Sequence, residues 1–431
     1  MSQPFPPYLS KGINLIGHFG KCLGLAQSAR LIISSLQKQS IPFSLISEDS
    51  WASAHPTEHF PYPITNEFIY PVNLFCLDPN HNAKFVEKID WNCVKDRYNI
   101  ALYFWETNRL PKKAKGWWYY LDEIWTPTHY VHEHISIASP IPIYRIPLPV
   151  ELPRVSENMS KENFNLKNRF TFLFYFSFFS ILNRKNPLAI VQAFKKAFPN
   201  RQDVQLVIKS QNGHHFPDQL KGLLKEIDQD SRIVWLDQTM DAQACFDLMN
   251  VCDCYISLHR SEGFGLTMAE AMLLEKPVIA TGYSGNLDFM NEENSFLCLH
   301  QLVPIGKGNF YPPKGVWADV DIDHAAFLMN HVFYHPAEAH SKGQKGKEYI
   351  LKHHSCEVVG QHISWRLNKI PSIIPSKPQP WKHKKKQLWH QIKLKIKTII
   401  GINNYELVYF WLKKTKKYVI KIKNKSSISK F

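Results

Sequence analysis

No apolar run in this 431-residue chain approaches the roughly 18–20 residues that a membrane-crossing helix needs. The opening stretch MSQPFPPYLSKGINLIG has neither a basic start nor a long apolar segment, so no secretory signal is expected there. Cysteine is sparse. None of the eight cysteines has a partner at the spacing of a zinc or thioredoxin motif, which leaves reduced, mostly buried thiols in a cytoplasmic protein as the expectation. The twenty histidines likewise fall in no metal-binding spacing with cysteines. No Asp-x-Asp follows a predicted strand. Asp319-Val320-Asp321 has that form but lies in the polar approach to a helix and is not read as a metal site.

A net basic excess is missing from the body of the chain. The whole sequence carries +15, and so does the segment from Lys377 to Phe431, with sixteen lysines, no arginine and one acid, Glu406. The first 376 residues are therefore neutral overall. The body therefore carries no general polyanion-binding signal. The tail lacks arginine's planar fork, and no nucleic-acid motif is present, so nucleic acid is not an expected partner. A hydrophobic content of 44% argues for a folded protein with a large core.

What is present is strand–helix alternation, twice over. Residues 12–17, 42–46, 71–77, 98–105 and 122–128 read as strands, with an extended stretch at 141–150 and a helix at 24–39 whose stripe is Leu25, Ala29, Ile32, Ile33 and Leu36. Residues 151–168 are polar and read as a linker. A second series follows: strands at 170–178, 204–210, 232–237, 254–260 and 277–281, and helices at 186–198, 242–252 and 266–275. Such alternation with short connections predicts an α/β protein with parallel sheets flanked by helices.

One stretch carries chemistry. In HRSEGFGLTMAEAM, a strand end is followed by Glu262-Gly263-Phe264-Gly265 and then a helix holding Glu270, eight positions after Glu262. Ligands of open parallel sheets bind at the carboxyl ends of the strands. A helix N-terminus there suits a phosphate, and glycine lets backbone approach it closely. A carboxylate beside a phosphate serves best as an acceptor for hydroxyls, which a sugar supplies. Phosphate, hydroxyls and two glutamates together point to a nucleotide-sugar.

Here the chain resembles the family-4 retaining glycosyltransferases of GT-B fold, whose signature is two glutamates separated by seven residues. SEGFGLTMAEAM, PVIATGYSGNLDF, the loop GHFGKCLGLAQSAR, YFWE and RKNPLAIVQAF all carry the likeness, which spans most of residues 12–368. The resemblance implies two Rossmann-like domains facing across a cleft: an acceptor domain at 1–155, a donor-binding domain at 165–345 and closing helices at 346–376, with a lysine-rich tail at 377–431 outside it. It implies sugar transfer from a nucleotide-sugar to a glycan or lipid-linked hydroxyl with retained configuration, without a bound metal or other cofactor, in cell-surface glycan assembly. Glu262, Glu106 and Lys185 are then the catalytic candidates. Donor contacts are implied at Gly20, Arg184, Lys185, Lys209, His259, Gly263, Phe264, Gly265, Leu266, Thr267 and Glu270, with Arg260 a further candidate. One departure is Ser180, where many members have an arginine five residues before the phosphate lysine. A nucleotide-sugar epimerase of the same fold and a non-catalytic nucleotide-sugar binding protein are the alternatives.

The tail interleaves lysine with bulky apolar residues. On a helix, Leu388, Trp389, Ile392, Ile396, Ile399 and Ile400 share a side flanked by Lys385, Lys386, Lys393 and Lys397, while Leu394 breaks the pattern. LVYFWL is too short to span a bilayer but suits its interface. The expectation is a protein held on the inner face of the cytoplasmic membrane by anionic lipid.

Overall fold

The computed structural model describes residues 12–48, 60–79, 89–111, 115–153, 156–371, 374 and 376–378. The tail helix and its membrane-facing side, as read above, lie outside these residues. No helix among the described residues is long and apolar enough to cross a membrane.

Two parallel six-stranded sheets organise the chain. The first contains β1 (Ile13–Gly17), β2 (Phe43–Ser47), β3 (Val72–Cys76), β4 (Tyr98–Leu102), β5 (Glu123–Thr126) and β6 (Ile143–Arg145), in the order β2-β1-β3-β4-β5-β6. Helix α1 (Gly24–Lys38) and helix α2 (His129–Ser136) pack beside it. Strands β1 and β3 are buried along their whole length, because helices and loops cover both faces. Each of β1, β3 and β4 nevertheless contains an asparagine. The parallel register places Asn14 opposite Asn73 and Asn73 opposite Asn99. Their amides then satisfy one another: Asn14 donates to Asn73 at 2.8 Å, Asn73 to Asn99 at 2.8 Å, and Asn99 to the Val94 carbonyl at 2.9 Å.

The second sheet contains β7 (Phe170–Tyr175), β8 (Val204–Ser210), β9 (Ile233–Asp237), β10 (Cys254–Ser257), β11 (Val278–Thr281) and β12 (Phe296–Cys298), in the order β12-β11-β10-β7-β8-β9. Its helices are α3 (Leu182–Lys185), α4 (Pro187–Ala197), α5 (Pro217–Ile227), α6 (Ala242–Val251), α7 (Leu266–Leu273) and α8 (Ile322–Tyr334). A short antiparallel hairpin, β13 (His300–Pro304) and β14 (Val316–Val320), leaves the sheet after β12. Asp319 of the Asp-x-Asp triplet pairs with Arg260 at 2.8 Å, and Asp321 caps α8 by accepting from the Asp323 and His324 amides.

Three readings of the sequence change in the structure. Residues 156–166 do not hang free between the domains. Ser156 is held by Asp247 through its amide at 2.9 Å and its hydroxyl at 2.7 Å, Lys161 pairs with Asp253 at 2.6 Å, and Leu166 is buried in the second domain's core. Three anchors hidden among polar residues defeated the periodicity argument. Leu25 is not in the first domain's core but lines the cleft, the core side of α1 being Ala26, Ala29, Ile32, Ile33 and Leu36. The boundary expected at 345/346 falls inside a helix, α9 (Pro336–His354).

From α9 the chain returns to the first domain. Val150 donates to the His354 carbonyl at 2.7 Å and the His354 ring meets the Leu148 carbonyl at 2.9 Å, so the two crossings lie side by side. Helix α10 (Cys356–Leu367) then packs on α1 with Val359 and Ile363 in the first domain's core. Arg366 locks it there, donating from Nε to the fully buried Glu123 at 3.1 Å and also from Nη2. Lys377 is likewise bound to the first domain, its ammonium 2.7 Å from Asp122.

Candidate active site in the interdomain cleft

Each sheet reverses its strand order once, between β1 and β3 in the first and between β7 and β10 in the second. At such a reversal the flanking loops diverge and leave a crevice at the carboxyl ends of the strands. Both crevices open into one cavity of about 2010 Å³. The first domain lines it with Cys22, Leu23, Gly24, Asp78 and Trp105-Glu106, and the second with Tyr175, Arg184, Lys185, Lys209, Glu262 through Thr267, and Glu270.

The turn after β10 and the turn after β11 hold each other. Gly285 donates to the Glu262 carbonyl at 2.9 Å, and the Glu262 amide donates to Ser284 Oγ at 2.8 Å. A Cβ on Gly285 would stand 2.4 Å from the Gly263 carbonyl oxygen, so only glycine permits this approach. Gly265, at φ +98°, supplies the left-handed turn into α7. Ser284 has φ +80° and ψ −147°, a region costing about 1–3 kcal/mol for a residue with a Cβ. The hydrogen bond to Glu262 is what this strain maintains.

Glu262 sits between two cations. Arg184 Nη1 is 2.8 Å from one carboxylate oxygen and Lys185 Nζ is 2.5 Å from the other. Burial alone would raise this carboxyl, but the two charges outweigh it and hold it at about 2. Both cations ride on α3, which is bracketed by left-handed residues, Ile181 at φ +67° and Asn186 at φ +55°. Arg184 also donates to the Ser261 carbonyl at 2.9 Å and lies 4.0 Å from Glu106. Its Nε donates to the Ser180 carbonyl at 3.2 Å, and the residue lines the cavity.

Lys209 and Glu270 are different in kind. Lys209 is next to last in β8, is 6% exposed, and has no ion pair among the described residues; its ammonium lies 5.9 Å from the Tyr175 ring centre. Glu270, on α7, is also 6% exposed and has no hydrogen-bond partner among the described residues. Burial pushes its carboxyl up to about 8. Among the described residues the cavity thus holds a buried lysine without an ion pair and a buried glutamate without a hydrogen bond. Nearby, Thr267 accepts a hydrogen bond from Tyr255 at 2.8 Å.

The structure brings Glu106, Arg184, Lys185, Lys209, Glu262 through Thr267, and Glu270 to one cavity. It does not bring His259. That ring is fully buried and both nitrogens are engaged, Nδ1 with Ser257 at 3.0 Å and Nε2 with Asn286 at 3.1 Å. It ties the end of β10 to the following turn. Gly20 also lies off the lining, which in that loop is Cys22 to Leu25, and Arg260 turns away to Asp319 and the Trp317 ring. Sequence reasoning missed Tyr311, whose hydroxyl donates to Glu106 at 3.1 Å from a hairpin loop with no motif of its own.

Residues 156–301 match the family model described as Glycosyl transferases group 1. The matched segment is similar to that family. It holds Arg184, Lys185, Lys209, Glu262 and Glu270, while Glu106 and Tyr311 lie outside it. Solved structures share the fold over most of the chain. Anabaena HepE, solved with UDP and glucose, has a TM-score of 0.61 at 13% identity, covering 84% of this chain and 100% of its own. Sucrose-phosphate synthase from Thermosynechococcus elongatus gives 0.57 at 14%, covering 83% and 98%. A glycosyltransferase from Rickettsia africae gives 0.57 at 14%, covering 84% and 100%. At these identities the likeness shows the fold, which is GT-B. No curated protein gives a significant match.

Proposed function

We propose that this glycosyltransferase moves a hexose from a nucleotide-sugar to a hydroxyl acceptor with retained anomeric configuration, without a bound metal. The observation that carries the reading is the unmatched pair in the cavity: Lys209 without an ion pair and Glu270 without a hydrogen-bond partner, among the described residues. A diphosphate supplies the counter-charge for the first, and ribose hydroxyls supply donors for the second. The N-terminus of α7, with the backbone of Phe264, Gly265 and Leu266, adds amides and a positive dipole end for the phosphates.

Transfer breaks the bond between the sugar's anomeric carbon and the phosphate oxygen, and the electron pair leaves with the diphosphate. Lys209, Lys185 and Arg184 stabilise that growing charge. The acceptor oxygen bonds to the anomeric carbon, and its proton goes to the departing phosphate. Glu262, kept ionised by its two cations, faces the developing positive charge on the sugar, and Glu106 orients the acceptor from the other domain. The reading extends to an acceptor in cell-surface glycan assembly, reached on the cytoplasmic face of a membrane that the lysine-rich tail grips.

A thermal-shift panel of UDP-, GDP-, ADP- and TDP-sugars tests the reading. One class should stabilise the protein, by about 2.7 kcal/mol at a hundred times its dissociation constant. Release of nucleoside diphosphate from that donor should follow, and should fail in Glu262→Ala. No stabilisation by any donor at millimolar concentration sinks the reading. Stabilisation without release would mark a binding protein, and donor isomerisation without release an epimerase.

A further inference from the structure

Hairpin β13–β14 belongs to the second domain, yet its loop is built against the first. The Val316 amide donates to Asn108 Oδ1 at 2.9 Å. Trp105 packs edge-on to Tyr311 with ring centres 5.6 Å apart, and the two are buried together with Ile305 and Trp317. Inside this small core the Tyr311 hydroxyl reaches Glu106 Oε2 at 3.1 Å, while Arg184 Nη2 stands 4.0 Å from Glu106 Oε1. Arg184 is at the same time bound to Glu262. A carboxylate of one domain is therefore gripped by two groups of the other and linked through one guanidinium to the second acidic group of the cavity. Burial, and then the Glu106 charge, push the Tyr311 hydroxyl well above the ordinary tyrosine range, so it remains a donor at any working pH.

We infer that Tyr311 is a positioning residue. It holds the Glu106 carboxylate against Arg184 at the edge of the cavity, so that this end of the site is complete only while the hairpin loop is seated on Trp105. The role of Glu106 in this inference rests on the sugar-transfer reading; the contact itself does not.

Tyr311→Phe keeps the ring against Trp105 and removes only the donor. Urea unfolding of Tyr311→Phe, Glu106→Ala and the double variant, without ligand, reads the contact. The double variant should fall short of the combined single effects by about tenfold in the folding equilibrium. Release of nucleoside diphosphate from UDP-, GDP-, ADP- and TDP-glucose reads the role. Tyr311→Phe should lower kcat about tenfold, leave the donor KM within about twofold, and have no further effect once Glu106 is alanine. Additive unfolding effects, or an unchanged kcat in Tyr311→Phe, would overturn the inference. A wild type that releases nothing from any of these donors counts against the transfer reading, and the unfolding cycle then decides the Tyr311 contact by itself.

Discussion

Replacing Glu270 by glutamine removes a proton equilibrium that differs between the folded and unfolded chain. Burial raises this carboxyl from the usual 4.5 to about 8. Between those values the folded protein holds the proton and the unfolded chain has lost it. Stability must then fall as pH rises, by about 1.4 kcal/mol per pH unit. The contribution is present in full below pH 4.5 and lost by about pH 8. At pH 7 the accumulated loss is about 3 kcal/mol, and above pH 8 it levels near about 5 kcal/mol. Glutamine cannot titrate, and any cost of burying its amide is the same at every pH. Urea unfolding of both proteins across pH 5 to 8.5, followed by tryptophan fluorescence, should show Glu270→Gln gaining on the wild type as pH rises. Parallel curves would refute the argument. Hydroxyl donors from a ribose favour the ionised form, so UDP binding near pH 7 should expel about one proton from the wild type and none from Glu270→Gln. Titration calorimetry in two buffers of different ionisation heat measures this directly.

Lys209→Met should weaken nucleoside diphosphate binding about 10- to 150-fold, since it removes a charged partner of the phosphates and no ion pair within the described protein; equal affinity by calorimetry would remove Lys209 from the site. Lys185→Ala differs, because it leaves the buried Glu262 with Arg184 alone, and should lower folding stability as well as donor release. Arg366→Ala strands the fully buried Glu123 and should cost about 3–5 kcal/mol in urea unfolding; a loss below about 1 kcal/mol would show that Glu123 finds another partner. The tail should hold the full chain on liposomes containing phosphatidylglycerol, each engaged lysine adding about 1 kcal/mol. A chain ending after Pro378 keeps the Lys377–Asp122 pair intact and should not float; equal flotation would exclude the tail.

Much of the fold was legible because its signals are local. Residues 204–210 form a strand, as the apolar and β-branched residues Val204, Leu206, Val207 and Ile208 suggest, and the helix at 24–39 ends within one residue of the expected place. The Glu262–Glu270 motif was legible for the same reason: a turn and the helix it opens fix where both carboxylates stand relative to one strand end. The glycines were readable too, although their partner was not. Gly285 matters because its turn lies against Gly263, which no spacing states.

The polar residues inside the fold were decided only in three dimensions. Asn14, Asn73 and Asn99 each sit in a strand the sequence reveals, yet their compatibility with a buried sheet comes from a register that aligns them side by side. His259 looked like a ligand contact because it adjoins the motif, but Ser257 and Asn286 already occupy its ring. Lys185 and Lys209 looked alike, and only the structure neutralises one and leaves the other without an ion pair among the described residues. Glu106 and Tyr311 are 205 positions apart and meet through a hairpin that carries no motif. Apolar burial is set by period and composition, which a short window contains. What a buried charge or amide does depends on which partner the fold sets within about 3 Å of it, and that partner can come from anywhere in the chain.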